Sequence, residues 1–413
     1  MTTDFITFGC RLNTAETEIM RDHVVKAGLD QAVIINSCAV TAEATRQARQ
    51  AIRRARREHP AAKIIVTGCA AQTDSGMFAA MPEVDLILGN EEKLKAESWT
   101  VEGPRTRVSD IMGVRGNAPP AIEKLTARTR AFLQVQNGCD HRCTFCIIPF
   151  GRGNSRSVGA DDAVAQARTL TDAGYAELVL SGVDLTSWGA DLAGGPKLGA
   201  LVARLLREVP GLKRLRLSSI DSIEADPELI AVMGGEERVM PHLHLSLQAG
   251  DDMILKRMKR RHSRQQAVDF CGAMKGRRPD MVFGADLIAG FPTETAAMHE
   301  NSLRLIDECS LTYCHIFPFS PRPGTPAALM PQVDKAVVKA RAAALRKAGE
   351  RRLQAFLASE VGATRDILIE TEAMGRTAHF AMVKFAERVK PGSVVRARLI
   401  AAMSTHLEAR LAA

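Results

Sequence analysis

Cys139, Cys143 and Cys146 fall within eight residues, Cys139-Asp140-His141-Arg142-Cys143-Thr144-Phe145-Cys146, at the end of an apolar run that reads as a strand. Thiolates bind soft metals, and a loop offering three of them to a four-iron cluster leaves one iron without a protein ligand. That iron is open to a small molecule. The other reading is zinc, with His141 as the fourth ligand. Zinc sites usually gather their ligands as two separated pairs, whereas these three cysteines form one C-x3-C-x2-C run.

A second set of thiols is spread along the first hundred residues. Cys10 follows the apolar run Phe5 to Phe8, Cys38 follows Ala32 to Ile35, and Cys69 follows Lys63 to Thr67. With a fourth run at Val84 to Leu88 and helix-like segments between, the pattern predicts βαβ units around a doubly wound parallel sheet. Thr41 can cap the arginine-rich helix that stops before Pro60, and Gly28 can close the helix before it. The carboxyl ends of parallel strands lie along one edge, so three thiols distant in sequence converge. Their convergence suggests a second iron–sulfur cluster, again with one iron unligated.

The elements that must position the first loop come next. Residues 101–128 read as a linker, broken by Pro104, Gly113, Gly116, Asn117, Pro119 and Pro120. From 129 to 355 six strand-like runs, near 131–136, 177–181, 213–218, 242–247, 282–288 and 312–317, alternate with helical stretches. Six βα units make an open, partial (β/α)6 barrel whose site lies at the carboxyl ends of its strands. On that rim Ser181 and Gly182, Ser218 and Ser219, Gln248 and Asp286 are the candidates for holding a small-molecule cofactor and substrate. The loop Phe319 to Pro326 is stiffened by three prolines and carries Arg322, suited to a phosphate or carboxylate. Cys271, Cys309 and Cys314 lack ligand spacing and read as packing residues. Residues 356–413 change to short alternating runs with turns at Gly375 and Pro391-Gly392, predicting a small open β-barrel that binds RNA.

The net charge of +8 is unevenly spread. Six arginines and no acid lie between Arg46 and Arg57, and six Lys or Arg between Lys256 and Arg264. Such patches suit a polyanion. Arg46, Arg53, Arg57, Arg152, Arg156, Arg376 and Lys384 are the candidate RNA contacts, with His379 and Phe380 offering stacking. Nine cysteines without a signal-peptide pattern or an apolar run long enough to span a membrane predict metal chemistry in the cytoplasm.

These motifs also carry a resemblance. The C-x3-C-x2-C loop resembles that of the radical S-adenosylmethionine (SAM) enzymes. Phe8-Gly9-Cys10-Arg11-Leu12-Asn13, Asn36-Ser37-Cys38-Ala39-Val40-Thr41 and Thr67-Gly68-Cys69 resemble the amino-terminal domain of the methylthiotransferases. The family's order is an auxiliary-cluster domain (1–100 here), a radical SAM barrel and an RNA-binding TRAM domain, the last matching residues 356–413. The resemblance implies two 4Fe-4S clusters, one on Cys139, Cys143 and Cys146 that binds SAM and generates a 5'-deoxyadenosyl radical. The other, on Cys10, Cys38 and Cys69, handles sulfur, and a second SAM supplies the methyl group. Electron and sulfur donors are further partners the sequence does not identify. The stretch after Cys38, the arginine-rich helix and the loop Ser320 to Thr325 are similar to the group acting on carbon 2 of N6-threonylcarbamoyladenosine at position 37, in the anticodon loop of tRNA. Other groups act on N6-isopentenyladenosine in tRNA or on an aspartate of a ribosomal protein. Arg11-Leu12 and Thr293 depart from the commoner family residues and touch no cluster ligand. A zinc-stabilised, non-catalytic RNA-binding protein is the rival of another class.

Overall fold

The computed structural model describes residues 3–100, 103–116 and 129–412. The chain divides into two compact units, Met1–Ile122 with Gln134–Val158 and Ser320–Leu329, and Glu123–Leu133 with Gly159–Phe319 and Met330–Ala413.

The first unit is built on a parallel sheet of β1 (Asp4–Thr7), β2 (Ala32–Ser37), β3 (Lys63–Gly68), β4 (Leu86–Leu88) and β5 (Thr106–Arg107), in that order. Between the strands run α1 (Arg11–Lys26), α2 (Ala42–Glu58), and the short α3 (Cys69–Thr73) and α4 (Ser75–Ala79). β2 is buried at every residue, which is why it reads as a continuous apolar run. Ile34, Ile35, Ile64 and Val66, each at most 1% exposed, fill the two faces of the sheet, and each such side chain contributes roughly 1.5–3 kcal/mol. Thr41 caps α2 by accepting a hydrogen bond from the Ala44 N–H.

The expected linker is partly structured. Thr106–Arg107 adds a fifth strand beside β4, and Ile111–Gly113 forms a single 3-10 turn. Its remaining stretch, with Asn117, Pro119 and Pro120, lies outside the described residues.

The barrel opens with β6 (Arg130–Gln134), followed in the chain by a two-residue hairpin pair, β7 (Gln136–Asn137) and β8 (Arg156–Ser157), with α5 (Ile148–Arg152) between them. It continues with β9 (Glu177–Ser181), β10 (Arg214–Leu217), β11 (His242–Gln248), β12 (Val282–Ala289) and β13 (Leu311–Pro318). These form two parallel sheets, ordered β10-β9-β6 and β11-β12-β13, bridged at Leu215–Val239 and at Ile220–Leu245. All six expected barrel strands are present and the barrel is left open.

The C-terminal module packs β14 (Thr364–Thr371), β15 (Met374–Thr377), β16 (Met382–Phe385), β17 (Val394–Ala402) and β18 (Leu407–Leu411) into a closed barrel, not the open one expected. Closure comes from the parallel pairing of β16 with β18, which removes the free edges. Among the described residues no helix is long and apolar enough to cross a membrane.

Candidate active site

Each thiol of the amino-terminal set stands immediately past a strand. Cys10 precedes α1, Cys38 follows β2, and Cys69 opens α3. Side-chain staples hold the three strand ends in register. Asn13, 1% exposed, donates to the carbonyls of Phe8 and Ser37 (2.8 and 3.0 Å) and ties the first end to the second. The Ser37 hydroxyl donates to the Thr67 carbonyl at 2.6 Å and accepts from the Ala71 N–H, tying the second to the third. Gly68 sits at φ +96°, and a Cβ there would lie 2.3 Å from the Ser37 carbonyl oxygen. Only glycine fits that approach. The thiols are neighbours in fact: burial pushes Cys38 up to about 11, and Cys69 and Cys10 beside it push the same way.

A thiol so reluctant to ionise becomes a thiolate when a metal takes the place of its proton. The surroundings fit an iron–sulfur group. Asn90 directs its amide at the Cys69 sulfur, 3.6 Å away, and the Arg152 charge acts on all three cysteines.

Cys139, Cys143 and Cys146 occupy the loop between β7 and α5. Gly138 adopts φ +72°, where a Cβ would overlap the Asn154 carbonyl oxygen at 1.9 Å. The loop is further pinned by Cys139 N–H to the Gly153 carbonyl, Ser155 N–H to the Asp140 carboxylate, and Arg142 to Asn154. The helix that follows packs on the amino-terminal thiol site: a Cβ on Gly151 would lie 3.3 Å from the Cys69 Cβ, and Asn90 donates to the Gly151 carbonyl at 2.5 Å. The proline-rich loop docks on the same unit. Ser320 accepts from the Ala42 N–H, Ala327 N–H reaches the Thr144 carbonyl, and the Arg322 guanidinium lies 3.4 Å from the Thr45 hydroxyl and close enough to feel Cys38.

Arg152 and Arg156, expected as RNA contacts, are 2% and 6% exposed. Arg152 instead donates to Glu16, Asn13 and Asn137, and Glu16 is also paired with Lys93 at 2.7 Å, itself 0% exposed. Burial alone would raise the Glu16 carboxyl, but Arg152 and Lys93 hold it below its usual range. Arg156 donates to the Asn154 carbonyl at 3.2 Å. A buried cation stays where an anion meets it, and no local pattern around Arg152 discloses a partner so far away in the chain.

On the rim, Ser181 turns its hydroxyl back to the Val179 carbonyl at 3.0 Å, while Gly182 and Ser219 remain partly exposed. The buried Ser218 hydroxyl finds no hydrogen-bond partner among the described residues, as a group awaiting a ligand would. Gln248 adopts φ +68° at an irregularity in the β11–β12 register, a local strain of the kind found at ligand sites. Asp286 accepts from His244 at 3.0 Å and lies 3.3 Å from His315.

The five other expected RNA contacts lie on α2 and the C-terminal module. Arg46 is exposed and paired with Glu43, and Arg53 and Arg57 line a groove of about 490 Å³ with Phe8 and Arg54. Lys384 is exposed. Arg376, by contrast, donates to the Phe380 carbonyl and lies over the Phe380 ring at 4.4 Å, and His379 is 4% exposed against Asp280. These two, with Phe380, face inward because the turn Ala378 to Phe380 is pressed into the barrel.

Residues 133–306 match the radical SAM superfamily, and residues 2–89 match the uncharacterized protein family UPF0004. The threonylcarbamoyladenosine tRNA methylthiotransferase MtaB of Rickettsia prowazekii is 48% identical over 397 residues, 96% of this chain and 94% of that protein. The protein of the same name from Bacillus subtilis is 36% identical over 81% of this chain and 77% of its own length. A tRNA-2-methylthio-N(6)-dimethylallyladenosine synthase of Erythrobacter litoralis is 32% identical over 98% and 96%. In fold, the chain is similar to the radical S-adenosylmethionine methyltransferase TsrM from Kitasatospora setae, with a TM-score of 0.58 at 13% identity over 80% of this chain and 77% of that one. The chain belongs to the tRNA methylthiotransferases of the radical SAM superfamily.

Proposed function

We propose that the enzyme methylthiolates carbon 2 of N6-threonylcarbamoyladenosine at position 37 of tRNA, in the anticodon loop. The observation that carries this reading is the meeting, within one compact unit, of the Cys139 loop, through α5, with the strand-end thiols Cys10, Cys38 and Cys69. Threonylcarbamoyl is favoured over dimethylallyl because the relative named for it shares 48% of its residues against 32%.

In this reading Cys139, Cys143 and Cys146 hold the 4Fe-4S cluster that binds SAM, and Cys10, Cys38 and Cys69 hold a second 4Fe-4S cluster. When bound, these groups supply radical hydrogen abstraction and sulfur transfer. The chain supplies position and charge. Asn13 and Ser37 fix the spacing of the auxiliary thiols, and Arg152 offsets their negative charge. Ser181, Gly182, Ser218, Ser219 and Gln248 line the SAM rim. Arg53 and Arg57, with Arg46 and Lys384, meet the phosphates of the RNA. The enzyme works in the reducing cytoplasm.

The test is mass spectrometry of tRNA nucleosides from cells with and without the gene. The expected result is loss of 2-methylthio-N6-threonylcarbamoyladenosine with accumulation of its precursor. Loss of the isopentenyl counterpart instead overturns the substrate assignment, and no change in either overturns the reading.

A further inference from the structure

The inner surface of the barrel is identified by one ring. Phe380 is reached by the guanidinium groups of Arg130 on β6 and Arg216 on β10, at 5.1 and 5.0 Å, by the stacked ring of His242 on β11 at 5.1 Å, and by Tyr313 on β13 at 6.3 Å. Strands of both sheets can touch one ring only on their concave side. The opposite face of β11 and β12 carries Leu243, Leu245, Phe283, Ala285 and Leu287, each at most 1% exposed.

Side chains alternate along a strand, so the residues two positions beyond His242 and Tyr313 also face the concavity. They are His244 and His315, and between them on β12 stands Asp286, directly opposite His315 in register. His244 Nε2 and His315 Nδ1 both address Asp286 Oδ1, at 3.0 and 3.3 Å, and the two rings are 4.9 Å apart. The group is accessible, with the Asp286 side chain 31% and that of His315 59% exposed. It is also built: a Cβ on Gly284 would lie 2.9 Å from His244 Nδ1, so a glycine in mid-strand makes the room the imidazole occupies. The imidazoles outweigh burial and hold Asp286 well below the usual carboxylate range, so an ionised carboxylate stands between two imidazoles on the concave face.

We propose that His244, Asp286 and His315 form the subsite for the polar N6 substituent of the target adenosine. His315, its Nδ1 turned to Asp286, presents Nε2 to the substituent's carboxylate, and Asp286 accepts from the substituent's N–H or hydroxyl donor. His244 positions the Asp286 carboxylate. The inference rests on the threonylcarbamoyl reading above and supplies its physical basis. A dimethylallyl group would desolvate His315 Nε2 and the outward side of the Asp286 carboxylate without offering either a partner, and sites built to hydrogen-bond a group reject analogues that lack it.

The test measures dissociation constants of the full-length protein for three versions of one anticodon stem-loop RNA at fixed salt: with adenosine, with N6-threonylcarbamoyladenosine, and with its carboxyl methyl ester. The expected wild-type result is at least tenfold tighter binding of the free acid than of either other RNA. D286N and H315A are expected to lose that tenfold preference, and H315A to bind acid and ester alike, while their affinity for the unmodified RNA reports an intact fold. Wild-type preference retained within twofold in both variants overturns the subsite and leaves the proposed function standing. Absence of any wild-type preference overturns both.

Discussion

Arg152 donates from both terminal nitrogens to the two carboxylate oxygens of Glu16, 136 residues earlier in the chain, and neither side chain is more than 2% exposed. This buried pair joins the helix that follows the Cys139 loop to the first helix of the amino-terminal sheet. Lys93 on the other side of Glu16 leaves the trio with one surplus positive charge near Cys10 and Cys69.

Removing one partner strands the other in a low-dielectric site. R152Q and E16Q are each expected to lower unfolding stability by about 3–5 kcal/mol, measured by denaturant titration under anaerobic conditions. R152K keeps the charge but loses the two-pronged geometry, so it should recover only part of that loss. If R152Q unfolds with the wild-type midpoint and slope, the pair contributes nothing to the fold.

Glu177 makes a comparable prediction about pH. Burial alone would raise its carboxyl, but Arg216, Arg214 and Arg130 outweigh burial and lower it to about 2. A carboxyl depressed in the folded state stabilises that state fully above its unfolded value near 4.5 and loses the contribution as pH falls toward about 2. The contribution is on the order of 3 kcal/mol. Thermal midpoints recorded from pH 6 down to pH 2 should fall through this window, and E177Q should flatten the decline. An equal decline in E177Q assigns the acid sensitivity to other groups.

Much of this was legible from residue types. The barrel strands were readable because each puts apolar side chains on the sheet's outer face, alternating with polar ones on β10 and β11, and the two cysteine groups because their spacing sets them apart from Cys271, Cys309 and Cys314. What escaped were features set by distant partners. β5 has no apolar pattern and forms because β4 offers it an edge. β15 contains Gly375, a poor strand former, and is held by β14 and β16 on its two sides. Arg152 looks like a surface cation in the sequence, since nothing near it discloses Glu16, and Arg376 does because the distant residues Arg130, Arg216 and His242 that gather around Phe380 are not visible from its own segment. The His244–Asp286–His315 group needs the register of three strands to be visible at all.

The arginines of α2 should bind RNA through phosphate charge. Arg53, Arg54 and Arg57 line one groove, and Arg53 forms a long ion pair with Glu83 at 3.9 Å. R53Q, R54Q and R57Q should each weaken tRNA binding. Each should also flatten the log–log salt dependence by roughly 0.7 to 0.9 per lost contact. Unchanged slopes in all three would remove the groove from the RNA path.

The two cysteine triads should fail independently. Full loading of two 4Fe-4S clusters corresponds to about eight irons per chain, and a triad that loses one thiolate should drop the content to about four. C38A is expected to retain the SAM-binding cluster, and so SAM-dependent changes in its electron paramagnetic resonance signal, while losing the auxiliary one. C143A should show the reverse. Cys271 and Cys309, at 2% and 1% exposure, belong to neither set, and C271A should keep all eight irons. Zinc in place of iron, or loss of all metal from every variant, would contradict the assignment. A graded loss of four irons in each triad alone distinguishes two independent clusters from one shared site, because a shared site would empty whichever triad was cut.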